Sequence, residues 1–493
     1  MQEEKSSYRQ IMKATSIFGG VQVINIIIQI IRSKFIAVLL GPAGIGINNL
    51  LNSTTGLIAG FTSFGLGTSA VKRISEAFGN GNVEKAAVII TVLKRLVWLT
   101  GFLGAIITFV FSSWLSVLTF GNSEYSLAFR WISITLLLNQ ISLGQTVALR
   151  GMRKINLMAK SSLSGSFFGL FVSVPIYYVW GIDGIVPAII VSSIISLLRS
   201  WYFFNKVKLV KVQVPKETTL LEGKQMLALG FMLSLTSLYV MVKNYGIRIY
   251  LSHEGGLEIV GFYSAAFVIV NSYVGMVFSA MSTDYFPRLS AVANDTIKSR
   301  ELMNQQAEIA VLILAPIIII FIVCINWVIV LLYSNKFLPI SQMVQFAMLG
   351  TLFKAISWSI AYIFLAKGAR KIFLFNELIG GTVTLFFQLG GYYFGGLTGM
   401  GIGFMLGYLY YLVQVYIVSN YFYTFSVDVK LLKLVGIQLT MAIISLVITL
   451  SLSSFLAFVL GGAIVLLSSI YSYYELDKRI GINQITQRFT KRK

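Results

Sequence analysis

The chain has 493 residues, 56% of them hydrophobic, with a mean hydropathy of +0.81 and a net charge of +21. No soluble core needs so much apolar sequence, so the composition indicates an all-α polytopic membrane protein. One cysteine, Cys324, and one histidine, His253, exclude a disulfide within the chain and any multi-cysteine or histidine-built metal site, so neither a metal nor a cofactor is expected.

The N-terminal text MQEEKSSYRQIMKATS is polar and lacks a cleavage pattern after a short apolar core, so it reads as an uncleaved cytoplasmic tail. The first apolar run, 15–40, is long enough to cross a bilayer yet carries Arg32 and Lys34. A charge at that depth costs about 2.5–3.5 kcal/mol on insertion scales, so it usually faces protein or a water-filled cavity. Gln22, Asn25, Gln29 and Arg32 recur at spacings of three, four and three, which places them on one helical face. Lys34 lies about 200° round the same helix.

Further apolar runs of 20–28 residues follow at 44–71, 88–112, 127–149, 158–180, 183–204, 225–251 and 257–282. The second half adds 306–332, 340–365, 372–394, 397–419, 433–452 and 455–474. About 14 transmembrane helices are therefore expected. The basic residues decide their orientation. Thirty-two of 39 fall in the tails, in the loops after even-numbered spans and in the flanks of those loops, whereas the opposite loops hold only Lys336. The positive-inside rule then puts both termini in the cytoplasm and makes most of the net charge a topology signal, not nucleic-acid affinity.

Six cations remain inside the spans: Arg32, Lys34, Arg130, Lys243, Arg248 and Lys354. The carboxylates Glu377, Asp284 and Glu308 lie near span ends, so the membrane interior is biased positive.

An internal repeat organises these charges. Arg150-Gly-Met-Arg-Lys-Ile155 resembles Lys367-Gly-Ala-Arg-Lys-Ile372 at an offset of 217, and Gly46, Arg73 and Ser75 match Gly261, Arg288 and Ser290 at 215. Six spans per repeat is an even number, so two six-helix lobes related by a parallel repeat are expected. Arg32 then corresponds to Arg248, and Arg130 more loosely to Lys354. Ser237, Asn244 and Arg248 form a polar stripe on span seven, as do Arg130, Ser133, Gln140 and Gly144 on span four. A shared cationic cleft would use such stripes. Buried inter-helix hydrogen bonding would also explain Ser and Asn, but explains unpaired Arg and Lys poorly.

The expected organisation is an N-lobe at 1–204, a basic cytoplasmic linker at 205–224 and a C-lobe at 225–420. Two added helices follow at 421–474, then a basic tail at 475–493. Cleft candidates are the six cations, with Gln22, Asn25, Gln29, Gln140 and Asn244 as polar lining. The segment 284–305 is expected to be a mixed loop with a short surface helix.

The text KATSIFGGVQVINIIIQIIRSKFIAVLLGPAGIGINNLL, above all LLGPAGIG and the polar span after it, resembles the O-antigen translocase (Wzx-type) family of the multidrug/oligosaccharidyl-lipid/polysaccharide exporter superfamily. The resemblance is strongest over about the first 80 residues and extends to the rest by span pattern. It implies a flippase of the bacterial inner membrane that moves undecaprenyl-diphosphate-linked O-antigen or polysaccharide units to the periplasmic leaflet by alternating access. It further implies the lipid-linked oligosaccharide and membrane lipids as partners, with a polysaccharide polymerase and other assembly proteins beside them. Such families carry no strict catalytic motif, so residue roles rest on the cations. Arg32 and Arg248 could clamp the diphosphate, which suits the bidentate guanidinium fork. A lipid II flippase would share these features. A multidrug exporter of cationic drugs would need buried carboxylates, which span one lacks. A membrane glycosyltransferase or polymerase would need large outer loops with paired acids, and the outer loops here are short.

Overall fold

The computed structural model describes residues 24–479 apart from 208, 211, 273 and 454; for residues 2–23, 273, 454 and 480 only the helix is described. Among the described residues the chain is helical throughout and contains no strand. The first half comprises α1 (Gln2–Thr62), α2 (Leu66–Gly79), α3 (Val83–Val110), α4 (Ser112–Phe120), α5 (Ser126–Gly151), α6 (Ile155–Trp180) and α7 (Ile185–Asn205). The second comprises α8 (Lys216–Val268), a π turn (Ile269–Tyr273), α9 (Gly275–Ala291), α10 (Thr296–Leu332), α11 (Ser341–Ala366), α12 (Arg370–Tyr423), α13 (Val429–Ser451) and α14 (Ser454–Ile480).

Among the described residues ten helical stretches are long and apolar enough to cross a membrane. Four of these are divided by a glycine in a non-helical conformation, which yields the fourteen crossings expected. The dividing glycines obey the repeat. Gly41 (φ 65°, ψ −172°) and Gly256 (φ 78°, ψ −179°) stand 215 residues apart. Gly181 (φ 53°, ψ −129°) and Gly396 (φ 55°, ψ −141°) stand 215 apart as well. A left-handed φ is strained for any residue with a Cβ, so glycine at these turns lets each hairpin reverse in the same way in both repeats. Large apolar side chains such as Trp98, Phe171 and Phe394 cover the outside of the helices, where lipid replaces water as solvent.

The chain forms two compact units, Met1–Gly261 and Phe262–Lys493. The division falls within the second repeat, because the first part of α8 packs with the first unit. There Gly46 and Gly261 make a reciprocal pair of close approaches: a Cβ on Gly46 would overlap the Leu257 carbonyl, and one on Gly261 would overlap that of Pro42. Both residues and both targets are 215 apart, so one backbone seam is built twice by the same sequence relationship. Nearer the start of α8, Gly230 meets the Phe64 and Gly65 carbonyls. Small residues allow such backbone contact between membrane helices.

At the basic-loop end of the first unit, Leu66, Ile74, Ile89, Leu93, Val147, Phe204, Val214 and Met226 form an apolar cluster. This corrects the expected linker. Between α7 and α8 the described residues are non-helical; Pro215 accepts from the Thr219 amide (3.0 Å) and Lys216 begins α8. Pro215 pre-sets the helix entry, and Val214 joins Met226, which lies beyond the expected linker, in this cluster. Arg95 donates to the Val214 carbonyl (2.9 Å) and to Thr219, and Arg73 pairs with Glu222.

In the second unit the two added helices are fastened by polar side chains. Gln345 of α11 donates to Thr449 of α13 (3.1 Å), and Gln438 of α13 bonds Ser468 and Ser472 of α14 at 2.7 and 2.8 Å. Arg479 of α14 pairs with Glu308 of α10 at 2.6 Å. The expected loop 284–305 is instead nearly all helix: α9 runs to Ala291, and Asp295 caps α10 by accepting from the Ile297 and Lys298 amides.

Candidate functional site

In the first unit the polar stripe of α1 meets α6. Asn25 is buried, donating to Ser162 (3.1 Å) and accepting from Ser166 (2.7 Å), so it rivets the two helices. Gln29 is exposed. Arg32, half-buried, lies near Gly169 and Tyr177, while its Nε is buried without a partner among the described residues. Lys34 is half-buried. The side chain of Gln22 lies outside the described residues.

On α8, Tyr245 is buried and its hydroxyl joins Thr119 (2.7 Å) and Thr54 (3.3 Å), tying this helix to α4 and to the second half of α1. One turn on, Arg248 is half-buried with its Nε shielded and unbonded among the described residues. Lys243 and Asn244 flank Tyr245 on the other side, both half-buried. Neither Arg248 nor Lys243 has a carboxylate partner among the described residues. A guanidinium at membrane depth without a counter-ion is ready to receive one, and its planar fork suits a phosphate.

Two candidates have other partners. Gln140 is buried and donates to Thr100 (3.0 Å), which joins α5 to α3. Arg130 is exposed near the start of α5, its Nε bonded to Ser112 (3.2 Å). The correspondence of Arg130 with Lys354 also needs correction. The 215–217 offset puts Lys354 opposite Leu137–Asn139, about two helical turns from Arg130.

In the second unit, Lys354 of α11 reaches Asn271 Oδ1 (3.2 Å) and lies over the rings of Tyr408 and Phe278. Asn271 belongs to the π turn, and such single-turn bulges often mark functional positions. On α12, Tyr411 donates to the Glu377 carboxylate, Asn376 donates to Tyr411 (3.2 Å), and Gln414 donates to Asn376 Oδ1 (2.9 Å).

Sequence reasoning passed over Asn271, because nothing in the hydropathy of 257–282 marks a π turn. It also missed the ladder Asn48–Asn52, whose side chains bond each other at 2.9 Å on a partly exposed face. The run Asn-Asn-Leu-Leu-Asn-Ser-Thr-Thr at 48–55 was the available signal.

Residues 35–342 match the family described as polysaccharide biosynthesis protein. No curated protein matches the chain. The fold is similar to an inward-facing multidrug resistance MATE family transporter of the MOP superfamily, with TM-score 0.67, 14% identity, 84% of this chain and 95% of that one. It is also similar to the lipid II flippase MurJ in an inward closed conformation, with TM-score 0.66, 13% identity, 95% and 99%. A third structure is a Pyrococcus furiosus MOP superfamily transporter whose binding pocket is described as reversed in polarity, with TM-score 0.57, 16% identity, 83% and 96%.

Proposed function

Because the chain belongs to the polysaccharide biosynthesis protein family and shares the fold of MOP superfamily transporters, we propose that it flips an undecaprenyl-diphosphate-linked saccharide unit, an O-antigen or related repeat, across the bacterial inner membrane. Transport runs from the cytoplasmic to the periplasmic leaflet by alternating access, with both termini in the cytoplasm as the basic loops indicate. The observation that carries this reading is Arg248, a shielded guanidinium with no carboxylate partner among the described residues. Lys243 adds charge on the same helix, and Arg32, near Tyr177, supplies a third cation in the same unit. A polysaccharide polymerase on the receiving side is the natural partner for the delivered unit.

A second reading, lipid II flipping, is supported by the likeness to MurJ. Export of cationic drugs is disfavoured, since Arg248 and Lys243, without carboxylate partners among the described residues, would repel them. The test is reconstitution of the full chain in vesicles with three cargoes: lipid-linked O-unit, lipid II and a cationic dye. Transbilayer movement of the O-unit alone is expected. Movement of lipid II instead would establish the second reading, and dye transport without either lipid would overturn both.

A further inference from the structure

Lys354 sits midway along α11 with no carboxylate partner among the described residues. Its ammonium has only hydrogens to offer, so the Asn271 oxygen must face it, which assigns the amide orientation. The Asn271 amide nitrogen is left without a partner among the described residues, and at least one N–H of the ammonium is likewise unspent. Asn271 and its neighbour Ser272 are exposed at a depth where lipid penalises polar groups, so this face meets water. The ring centroids of Tyr408 and Phe278 lie 5.4 and 5.7 Å from the ammonium, and Trp358 packs on Phe278 at 5.5 Å.

The repeat supplies a control. At the 215 offset, Asn271, Phe278 and Tyr408 correspond to Gly56, Ser63 and Ser193, and Lys354 corresponds to Leu137–Asn139. The first repeat has neither cation nor ring at these places, so the constellation is not a by-product of the shared backbone.

We propose that Lys354 and Asn271 form a subsite for a carboxylated sugar in the transported unit; the assignment rests on the flippase reading above. Two donors side by side match the two oxygens of one carboxylate, and a single positive charge balances its single negative charge. A diphosphate would leave excess charge at such a site and is better served by guanidinium groups. The flat faces of Tyr408 and Phe278 provide apolar surface for the C–H side of a pyranose ring. The subsite thus makes the protein selective for acidic over neutral repeat units.

The test uses the purified full-length protein and three probes: a tetrasaccharide alternating glucuronate and N-acetylglucosamine, the neutral N-acetylglucosamine tetramer, and inorganic pyrophosphate. The acidic tetrasaccharide is expected to bind about ten-fold more tightly than the neutral one, and K354Q should remove that preference. K354R should keep part of it, while N271D should abolish it by pairing Lys354 internally. R248Q should leave it intact, and pyrophosphate should not displace the acidic sugar. Equal binding of the two sugars, no binding of either, an unchanged K354Q, or displacement by pyrophosphate would each overturn the subsite. Wild-type protein that shows the Lys354-dependent preference yet flips no lipid-linked saccharide would remove the transport reading and leave a carboxylate-binding site standing.

Discussion

The two units treat charge at membrane depth differently. In the first, Arg248 and Lys243 stand on one helix without a carboxylate partner among the described residues, and Arg32 lies near Tyr177. In the second, the one cation of the spans, Lys354, is held by an amide and two rings, and a carboxylate, Glu377, is bonded by a tyrosine. Yet the turning glycines at 41 and 256, and at 181 and 396, have nearly the same φ and ψ. Backbone reversals were kept between the repeats while the polar side chains between them diverged. Duplication therefore preserved how the helices turn and left what they bind free to change.

The largest expected effect separates the cations. R248Q should slow flipping of a lipid diphosphate about ten- to a hundred-fold whatever its sugar, with normal membrane insertion, and R248K should recover part of the rate. Equal rates for R248Q and wild type in vesicles would end the claim that the first unit handles phosphate. The symmetric seam comes next. G46A and G261A should each cost about 1–3 kcal/mol, by similar amounts, since each added methyl meets a backbone carbonyl. Thermal unfolding in detergent checks this, and a loss confined to one variant would show that only half the seam matters. Smaller again is Gln438→Leu in the second unit. It removes bonds to Ser468 and Ser472 and should cost about 1–2 kcal/mol, comparable to Asn25→Leu in the first.

The smallest contrast concerns two helix caps. Asn82 accepts from the Lys85 amide at 2.9 Å in the first unit, and Asp295 accepts from those of Ile297 and Lys298 in the second. The bond from the Lys298 amide, with the Lys298 side chain, holds the Asp295 carboxyl below its ordinary value. Its contribution is thus complete above about pH 4, the unfolded value, and is lost as pH falls through the depressed one. Asp295→Ala should destabilise at neutral pH and cease to matter in acid. Asn82→Ala should show no such dependence. A pH-independent cost of Asp295→Ala would mean that the ionised carboxylate caps no better than its neutral form.

Much of the fold was legible because membrane crossing is written in composition. Apolar runs, basic loops and the matched segments at 150 and 367 led directly to twelve crossings in two repeats and two more after them. The site was less legible. The spacing of Asn25, Gln29 and Arg32 identified one face, but it could not tell that Asn25 is spent on α6 while Gln29 stays exposed. Gln140 likewise carried the pattern of a cleft residue and is used to join α5 to α3. The linker was misjudged because the residues 205–223 show no apolar face by themselves; Val214 is buried only against α2 and α3.

By itself the amino-acid sequence determined the membrane class, the number of spans, the repeat and the surplus of positive charge within the spans. Each of these depends on local composition or on similarity between segments, which need no knowledge of neighbours. Only the tertiary structure decided which polar groups are already satisfied. Periodicity states the direction in which a side chain leaves its helix, whereas its charge becomes available to a ligand only if the facing helix offers no partner. Asn25 found serines on α6, whereas Arg248 found no carboxylate among the described residues.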